Sequence, residues 1–262
     1  MMRSLNTAAS GMIAQQINLD TISNNLANVN TTGFKAQRSQ FQDIVYQTLQ
    51  ASGAQGANSI TTPSPVQVGL GTRFSTNLQD MAQGAMIATG NPLDLAIQGS
   101  GFFKVQMPDG GYAYTRDGSF QTDANGVVVT SDGYHVMPEI TIPSGATSLS
   151  VNANGVVTCV ESGNSTPTQL GTLTLSTFTN PSGLTRLGQN LYQAGAGSGD
   201  ATDNNPGAGG SGTIAAGFTE GSNVQIVSEM VNMITAQRAY EINSKAITTS
   251  DEMLQTVNQL KQ

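Results

Sequence analysis

The sequence predicts an α+β fold: long N- and C-terminal helices packed together as a coiled-coil-like inner layer, with a β-rich middle domain of short strands and hairpins. Three observations predict it. Near the start, Leu5, Met12, Leu19 and Leu26 recur every seven residues, with Ala8, Gln15, Ile22 and Val29 three positions after each. At the end, Ile226, Met233, Tyr240, Ile247 and Leu254 repeat at the same interval of seven. Between them, short β-branched and aromatic runs alternate with Asn-Gly and Asp-Gly pairs. A seven-residue repeat lays one apolar stripe along a helix and calls for a partner to cover it.

The first helix is expected from about Ser4 to about Asn30, inside a first segment of residues 1–33. Gly33 is placed to serve as a left-handed C-cap, with Phe34 touching Val29. A helix of about 30 residues spans roughly 45 Å and is marginal in water unless its stripe is covered. Two ways of covering it stay open: the other terminal helix of the same chain, or copies of the chain. Asn24, Asn25, Asn28 and Asn30 crowd the helix end, although asparagine is a poor helix former. They read either as a fraying end or as amides that hydrogen-bond to neighbouring molecules, and the second reading is favoured.

Residues 34–65 are expected to form an extended linker. Phe41, Ile44, Val45 and Leu49 fall at helical spacing, and Ala51 to Pro65 then loses all periodicity. Residues 66–221 read as β, with runs such as Leu93–Ile97, Phe102–Val105, Val127–Val129 and Leu173–Leu175. Turn signals at Asp109-Gly110, Asp117-Gly118, Asn125-Gly126, Asp132-Gly133 and Asn154-Gly155 suit type I′ hairpins, in which both central residues have positive φ. The stretch starting at Asp123 (Asp-Ala-Asn-Gly-Val-Val) is echoed at Asn152, which predicts two similar hairpins. The Gly-, Ala- and Ser-rich residues 194–212 read as a flexible surface loop. Residues 222–262 form the final helix, opened by a capping box of Ser222 and Gln225 and supported by an i,i+4 pair of Glu241 and Lys245. Its apolar face is broad at first, over Ile226, Val227, Met230, Val231, Met233 and Ile234, and then narrows.

Composition excludes several functions. Charged residues are 10% of the chain, against roughly 25% for an average soluble protein. The net charge of −7 leaves no basic patch to neutralise phosphates, so no nucleic-acid partner is expected. No apolar run reaches membrane-spanning length, and Gln15, Gln16, Asn18 and Asp20 interrupt anything like a leader, so no cleaved signal is expected. The single histidine, His135, and the single cysteine, Cys159, make neither a zinc site nor an activated nucleophile; a strand-surface histidine and, for the cysteine, an inert small residue in a strand are expected. Gln121, Asp123, Asn125 and Asp132 come near a calcium loop, but Gln121 stands at its first position and no bidentate glutamate closes it. Gly99-Ser100-Gly101 reads as tight backbone before a strand rather than a dinucleotide loop. No catalytic residue, cofactor or metal is expected.

Five stretches together resemble the flagellar rod and hook proteins. These are Thr21-Ile22-Ser23-Asn24-Asn25-Leu26-Ala27-Asn28-Val29-Asn30, continuing through Thr32-Gly33-Phe34-Lys35; Gly90-Asn91-Pro92-Leu93-Asp94; Gly99-Ser100-Gly101-Phe102-Phe103; Tyr114-Thr115-Arg116-Asp117-Gly118-Ser119-Phe120; and Ala236-Gln237-Arg238-Ala239-Tyr240-Glu241-Ile242-Asn243. Within that family, length and the Gly/Ser/Pro-rich insertion between Gln47 and Gln67 point to the distal-rod type, with proximal rod or hook as the near alternative and a secreted β-rich binding module as the distant one. The resemblance implies a structural subunit that polymerises helically into a stiff hollow shaft, transmits torque and passes export substrates. It implies the chain itself as partner, other rod proteins below, hook protein above, the surrounding ring proteins and the flagellar export apparatus. The expected location is the periplasm-spanning rod of the basal body. The expected subunit-interface residues are Leu5, Met12, Leu19, Asn24, Asn25, Leu26, Asn28, Val29, Met233, Ile234, Tyr240, Ile247 and Leu254.

Overall fold

The computed structural model describes residues 2–50, 52, 64–162 and 166–259. It has a helix at each end and short strands between them. The chain divides into two compact units. One comprises Met1–Leu26, Gln37–Leu78 and Gln225–Gln262, and the other Ala27–Ala36 and Gln79–Val224.

The first unit holds helices α1 (Met2–Ala27) and α2 (Ile226–Gln259) and strands β1 (Gln37–Asp43), β2 (Tyr46–Gln50), β3 (Val66–Gly69) and β4 (Thr72–Gln79). Strand β1 pairs with β4, and β2 pairs antiparallel with β3, Tyr46 opposite Gly69. The linker expected over residues 34–65 is therefore strand over much of its described length. The helical spacing of Phe41, Ile44, Val45 and Leu49 misleads because the backbone hydrogen bonds go to partner strands, and Phe41 meets Phe74 edge-on, ring centroids 6.1 Å apart. The insertion falls largely outside the described residues, at 51 and 53–63.

Both helix ends differ from expectation. Helix α1 stops at Ala27, where Asn28 draws the next residues into a turn: its carbonyl accepts Thr31 N–H at 3.2 Å and its Oδ1 accepts Thr31 Oγ1–H at 3.1 Å. Gly33 has the positive φ of 67° expected of a C-cap, but it lies well past the helix and donates its N–H to Glu220 O. Helix α2 starts at Ile226, beyond reach of Ser222, whose Oγ accepts Val224 N–H instead; the capping box does not form. Gln225 starts the helix by accepting Glu229 N–H on its carbonyl. Glu241 and Lys245 are not among the ion pairs of the described residues.

The second unit contains strands β5 (Met86–Ala88), β6 (Leu95–Gln98), β7 (Phe103–Gln106), β8 (Tyr112–Thr115), β9 (Gln121–Thr122), β10 (Val128–Val129), β11 (His135–Met137) and β12 (Ala146–Val151). It continues with β13 (Val156–Glu161), β14 (Thr168–Thr172), β15 (Leu175–Thr177), β16 (Thr185–Gly188), β17 (Leu191–Gln193), β18 (Thr202–Asn204), β19 (Thr213–Ala216) and β20 (Phe218–Glu220). A seven-stranded sheet runs β16-β17-β8-β7-β11-β10-β9, a three-stranded sheet runs β12-β13-β14, and β15-β18, β19-β6 and β20-β5 pair off. Phe102 and Phe103 lie in different clusters. Phe103 stacks edge-on against Phe120 at 5.0 Å in a core with Ile97, Val105 and Leu175; Phe102 joins Tyr114, Phe178 and Tyr192 in a second cluster. Cys159 lies on a strand, as expected, and is buried there on β13.

Four hairpin turns share one geometry, and it is not type I′. At 107–110, 123–126, 130–133 and 152–155 the closing glycine donates to the first residue's carbonyl, whose own N–H bonds just beyond the glycine. Only the glycines (Gly110, Gly126, Gly133, Gly155) take positive φ, not the Asp or Asn before them. This is a type I turn closed by a left-handed bulge residue. The first corner is reinforced by Asp123 Oδ1 accepting Ala124 N–H at 2.6 Å and Asn152 Oδ1 accepting Asn154 N–H at 2.7 Å. The echoed hairpins are thus structurally alike. Adjacent positive φ values occur instead at Gly188 (94°), Gln189 (53°) and Asn190 (58°), where β16 joins β17. Residues 194–212 are not a bare loop: they contain β18, bury Ser198 and Ser211, and pair Asp203 with Ser176 on β15. Asp117-Gly118 is no hairpin turn. A Cβ on Gly118 would lie 1.7 Å from the Leu95 carbonyl. Gly118→Ala is expected to destabilise the second unit by at least about 1–3 kcal/mol, read as a lowered urea midpoint with unchanged far-UV circular dichroism before the transition.

Candidate assembly site

In the first unit, two contacts fix how the helices lie. Asn25 Nδ2 donates to Glu229 Oε1 at 3.2 Å. Gly11 faces Asn243, whose Nδ2 would be 3.0 Å from an added Cβ. Early residues of α1 meet late residues of α2, so the helices run antiparallel. The buried side chains are mostly small: Ala8 and Ala14 on α1, with Thr21, Ile22 and Asn25, and Ala236 and Ser250 on α2.

The expected interface residues separate into groups. Leu5, Met12, Leu19, Leu26, Val29, Met233, Ile247 and Leu254 are half-buried. Ile234 and Tyr240 are exposed, 50% and 39%. On the first turns of α2 the apolar surface continues around the helix, with Val227 76%, Met230 51% and Val231 54% exposed. Asn24 is exposed, and Asn28 bonds within its own turn.

Asn25 corrects the reading of these amides as contacts to neighbouring molecules. It is 1% exposed and fully engaged within its own chain: Nδ2 donates to Gln37 O at 2.8 Å and Oδ1 accepts Gln37 N–H at 2.9 Å, besides the Glu229 bond. An asparagine side chain carries the donor and acceptor of a peptide group, so Asn25 extends the backbone pairing of Gln37. Nearby, Thr21 Oγ1 and Ser39 Oγ lie 2.7 Å apart, tying α1 again to β1.

In the second unit, three of the quoted stretches meet at one buried carboxylate. Glu220, 1% exposed, takes Lys35 Nζ on Oε1 at 2.6 Å and Arg116 Nε on Oε2 at 2.8 Å, and Oε1 also accepts Gly84 N–H at 2.9 Å. Arg116 Nη1 donates to Gly99 O and Gly101 O, and Lys35 Nζ to Ala82 O. Burial pushes the Glu220 carboxyl up, but Arg116, then Lys35 and Gly84, outweigh it and hold the group below its ordinary value. Burial, then Arg116, lowers the Lys35 ammonium. Around this cluster the chain's two passages run bonded together: Gly33 N–H to Glu220 O, Asn223 N–H to Phe34 O, and Ala36 N–H to Asn223 Oδ1. Arg186 donates to Lys35 O and stacks over Phe34 at 4.8 Å. Lys35 and Arg116 lie in stretches that resemble rod and hook proteins, but their shared partner Glu220 lies outside all of them. Glu220 carried no signal beyond being a charge in a chain with few.

Asn25→Ala strands the half-buried Gln37 peptide groups and is expected to lower the stability of the first unit by about 1–3 kcal/mol, measured by hydrogen exchange on α1. Glu220→Gln leaves two buried cations without a counter-charge and is expected to lower the urea stability of the second unit by about 3–5 kcal/mol. Since the folded-state pKa of Glu220 is depressed, its contribution is fully present above the ordinary value of 4.5 and is lost as pH falls through the folded value. Wild-type stability should therefore fall more steeply below pH 4.5 than that of Glu220→Gln, in urea titrations across the acid range.

Known families fall on the same segments. The family model described as flagella basal body rod protein matches residues 5–35, that of the flagellar hook protein FlgE/F/G D1 domain residues 96–159, and that of the flagellar basal body rod FlgEFG protein C-terminal residues 215–260. The flagellar basal-body rod protein FlgG of Buchnera aphidicola from Acyrthosiphon pisum is 49% identical, covering 99% of this chain and 100% of its own. FlgG of Borreliella burgdorferi is 49% identical (100% and 99% covered), and FlgG of Bacillus subtilis 45% (100% of both). At this identity over its full length, the chain belongs to the flagellar basal-body rod protein family, as one of its structural subunits in the flagellar basal body.

Proposed function

We propose that the chain is the distal-rod subunit and that it polymerises helically into a hollow shaft through its terminal helices. The observation that carries this reading is the outward face of α2. Val227, Met230, Val231 and Ile234 stand together at 50–76% exposure on the first turns of a helix, where a chain that worked alone would place polar residues. An open helical polymer needs contacts that repeat from copy to copy without closing, and such a face supplies one half of each contact. The half-buried residues Leu5, Met12, Leu19, Leu26, Met233, Ile247 and Leu254, with the exposed Tyr240, then complete their burial against neighbouring copies in a coiled-coil-like inner layer.

In this reading the second unit faces outward, toward the surrounding ring proteins. Other rod proteins and the hook cap the two ends of the shaft, and the bore passes export substrates. Torque runs through the polymer from copy to copy. The relatives' name, flagellar basal-body rod protein, supports the placement.

Met230→Asp and Ile234→Asp test the interface. Each would bury an unpaired carboxylate at a copy-to-copy contact, at a cost of several kcal/mol. The expected outcome is loss of sedimentable polymer and of swimming, while the urea midpoint of the second unit stays at its wild-type value. Polymer formed at wild-type yield by both variants overturns the proposed interface.

A further inference from the structure

The ion cluster of the second unit has more positive than negative charge. Lys35 and Arg116 share the single carboxylate of Glu220, and all three are nearly inaccessible, at 1%, 4% and 1%. Widening the circle to Arg186 and Asp80 adds one charge of each sign, so the excess remains +1. Asp80 offers little relief, because it is exposed and its Oδ1 accepts Ala82 N–H. An uncompensated buried cation is costly, and the lowered Lys35 ammonium has the same origin.

Beside the cluster lies a cavity of about 230 Å³, lined by Lys35, Arg116, Gln83, Ser100, Phe102 and Met81 among others. Arg116 borders it with a donor to spare. Its Nε serves Glu220 and its Nη1 serves the Gly99 and Gly101 carbonyls, whereas Nη2 has no partner among the described residues. The Ser100 hydroxyl, exposed at the rim, likewise has none among them. Gln83 is held through both amide atoms, by Ile97 O and Gly99 N–H.

We propose that this cavity is an anion site that takes one carboxylate, held by Arg116 Nη2 and the Ser100 hydroxyl and balancing the excess charge of the cluster. A planar carboxylate matches the flat guanidinium edge, and one negative charge matches the excess. The carboxylate arrives either as a free small ion or on an aspartate or glutamate of another copy of the chain.

The test uses the full chain and two variants. Ser100→Asp places a tethered carboxylate at the rim, and Ser100→Ala removes one donor without touching the cluster. Thermal midpoints are measured against acetate at constant ionic strength, with a sulfonate buffer ion too bulky for the cavity as the balancing anion, and against protein concentration without acetate. Acetate raising the dilute wild-type midpoint by about 2–4 °C and saturating, with a weaker response in Ser100→Ala and none in Ser100→Asp, assigns the free ion. A midpoint that instead rises with protein concentration, and no longer does so in Ser100→Asp, assigns the carboxylate of a second copy. A wild-type midpoint independent of both, or a Ser100→Asp response equal to wild type, overturns the proposal. The acetate arm reads the isolated chain, so its outcome is separate from that of the α2 interface.

Discussion

The second unit depends on one carboxylate. Glu220 sits where the chain returns toward α2, Lys35 where it has just left α1, and Arg116 in the middle of the sheet. A buried ion pair is weak evidence of net stability, because desolvation offsets most of the attraction. Its value here is geometric. Three segments far apart in sequence are held to one point, and every oxygen of Glu220 is satisfied. The Gly99 and Gly101 carbonyls that bind Arg116 precede Phe102 and Phe103, so the same point also sets where the two aromatic clusters begin.

The first unit follows the opposite rule. The contacts of its helices are small or polar: Gly11 against Asn243, Asn25 between Gln37 and Glu229, Thr21 with Ser39. Apart from Ile22, which is 4% exposed, its large apolar side chains are half-covered or bare. Polar pairing fixes register inside the subunit and leaves the greasy surface over. In a family of rod subunits, that division of labour suits a part whose stability is completed by its neighbours.

The heptads were legible because a helix repeats its environment every two turns, and the position of both helices could be read from Leu5 to Leu26 and from Ile226 to Leu254. Hairpin positions were legible from glycine, since only glycine takes the left-handed bulge cheaply. Turn type was not, because Asn-Gly serves both type I′ and the type I turn with a bulge found at Gly126 and Gly155. Residues 37–50 were misread because strand pairing depends on partners such as β3 and β4 that local spacing cannot show. Asn25 and Glu220 were missed for one reason: the partner of each lies far away in sequence, Glu229 in one case and Lys35 and Arg116 in the other.

The first unit is built from both ends of the chain, and this dictates an order of folding. A chain that emerges N-terminus first presents α1 long before Asn243 can arrive opposite Gly11. The second unit, spanning residues 27–36 and 79–224, has all its strands in hand before α2 begins. It can therefore mature first, while the helical unit waits for residues 225–259. The pairing of Gly11 with Asn243 and of Asn25 with Glu229 is thereby a late event, set by sequence order alone.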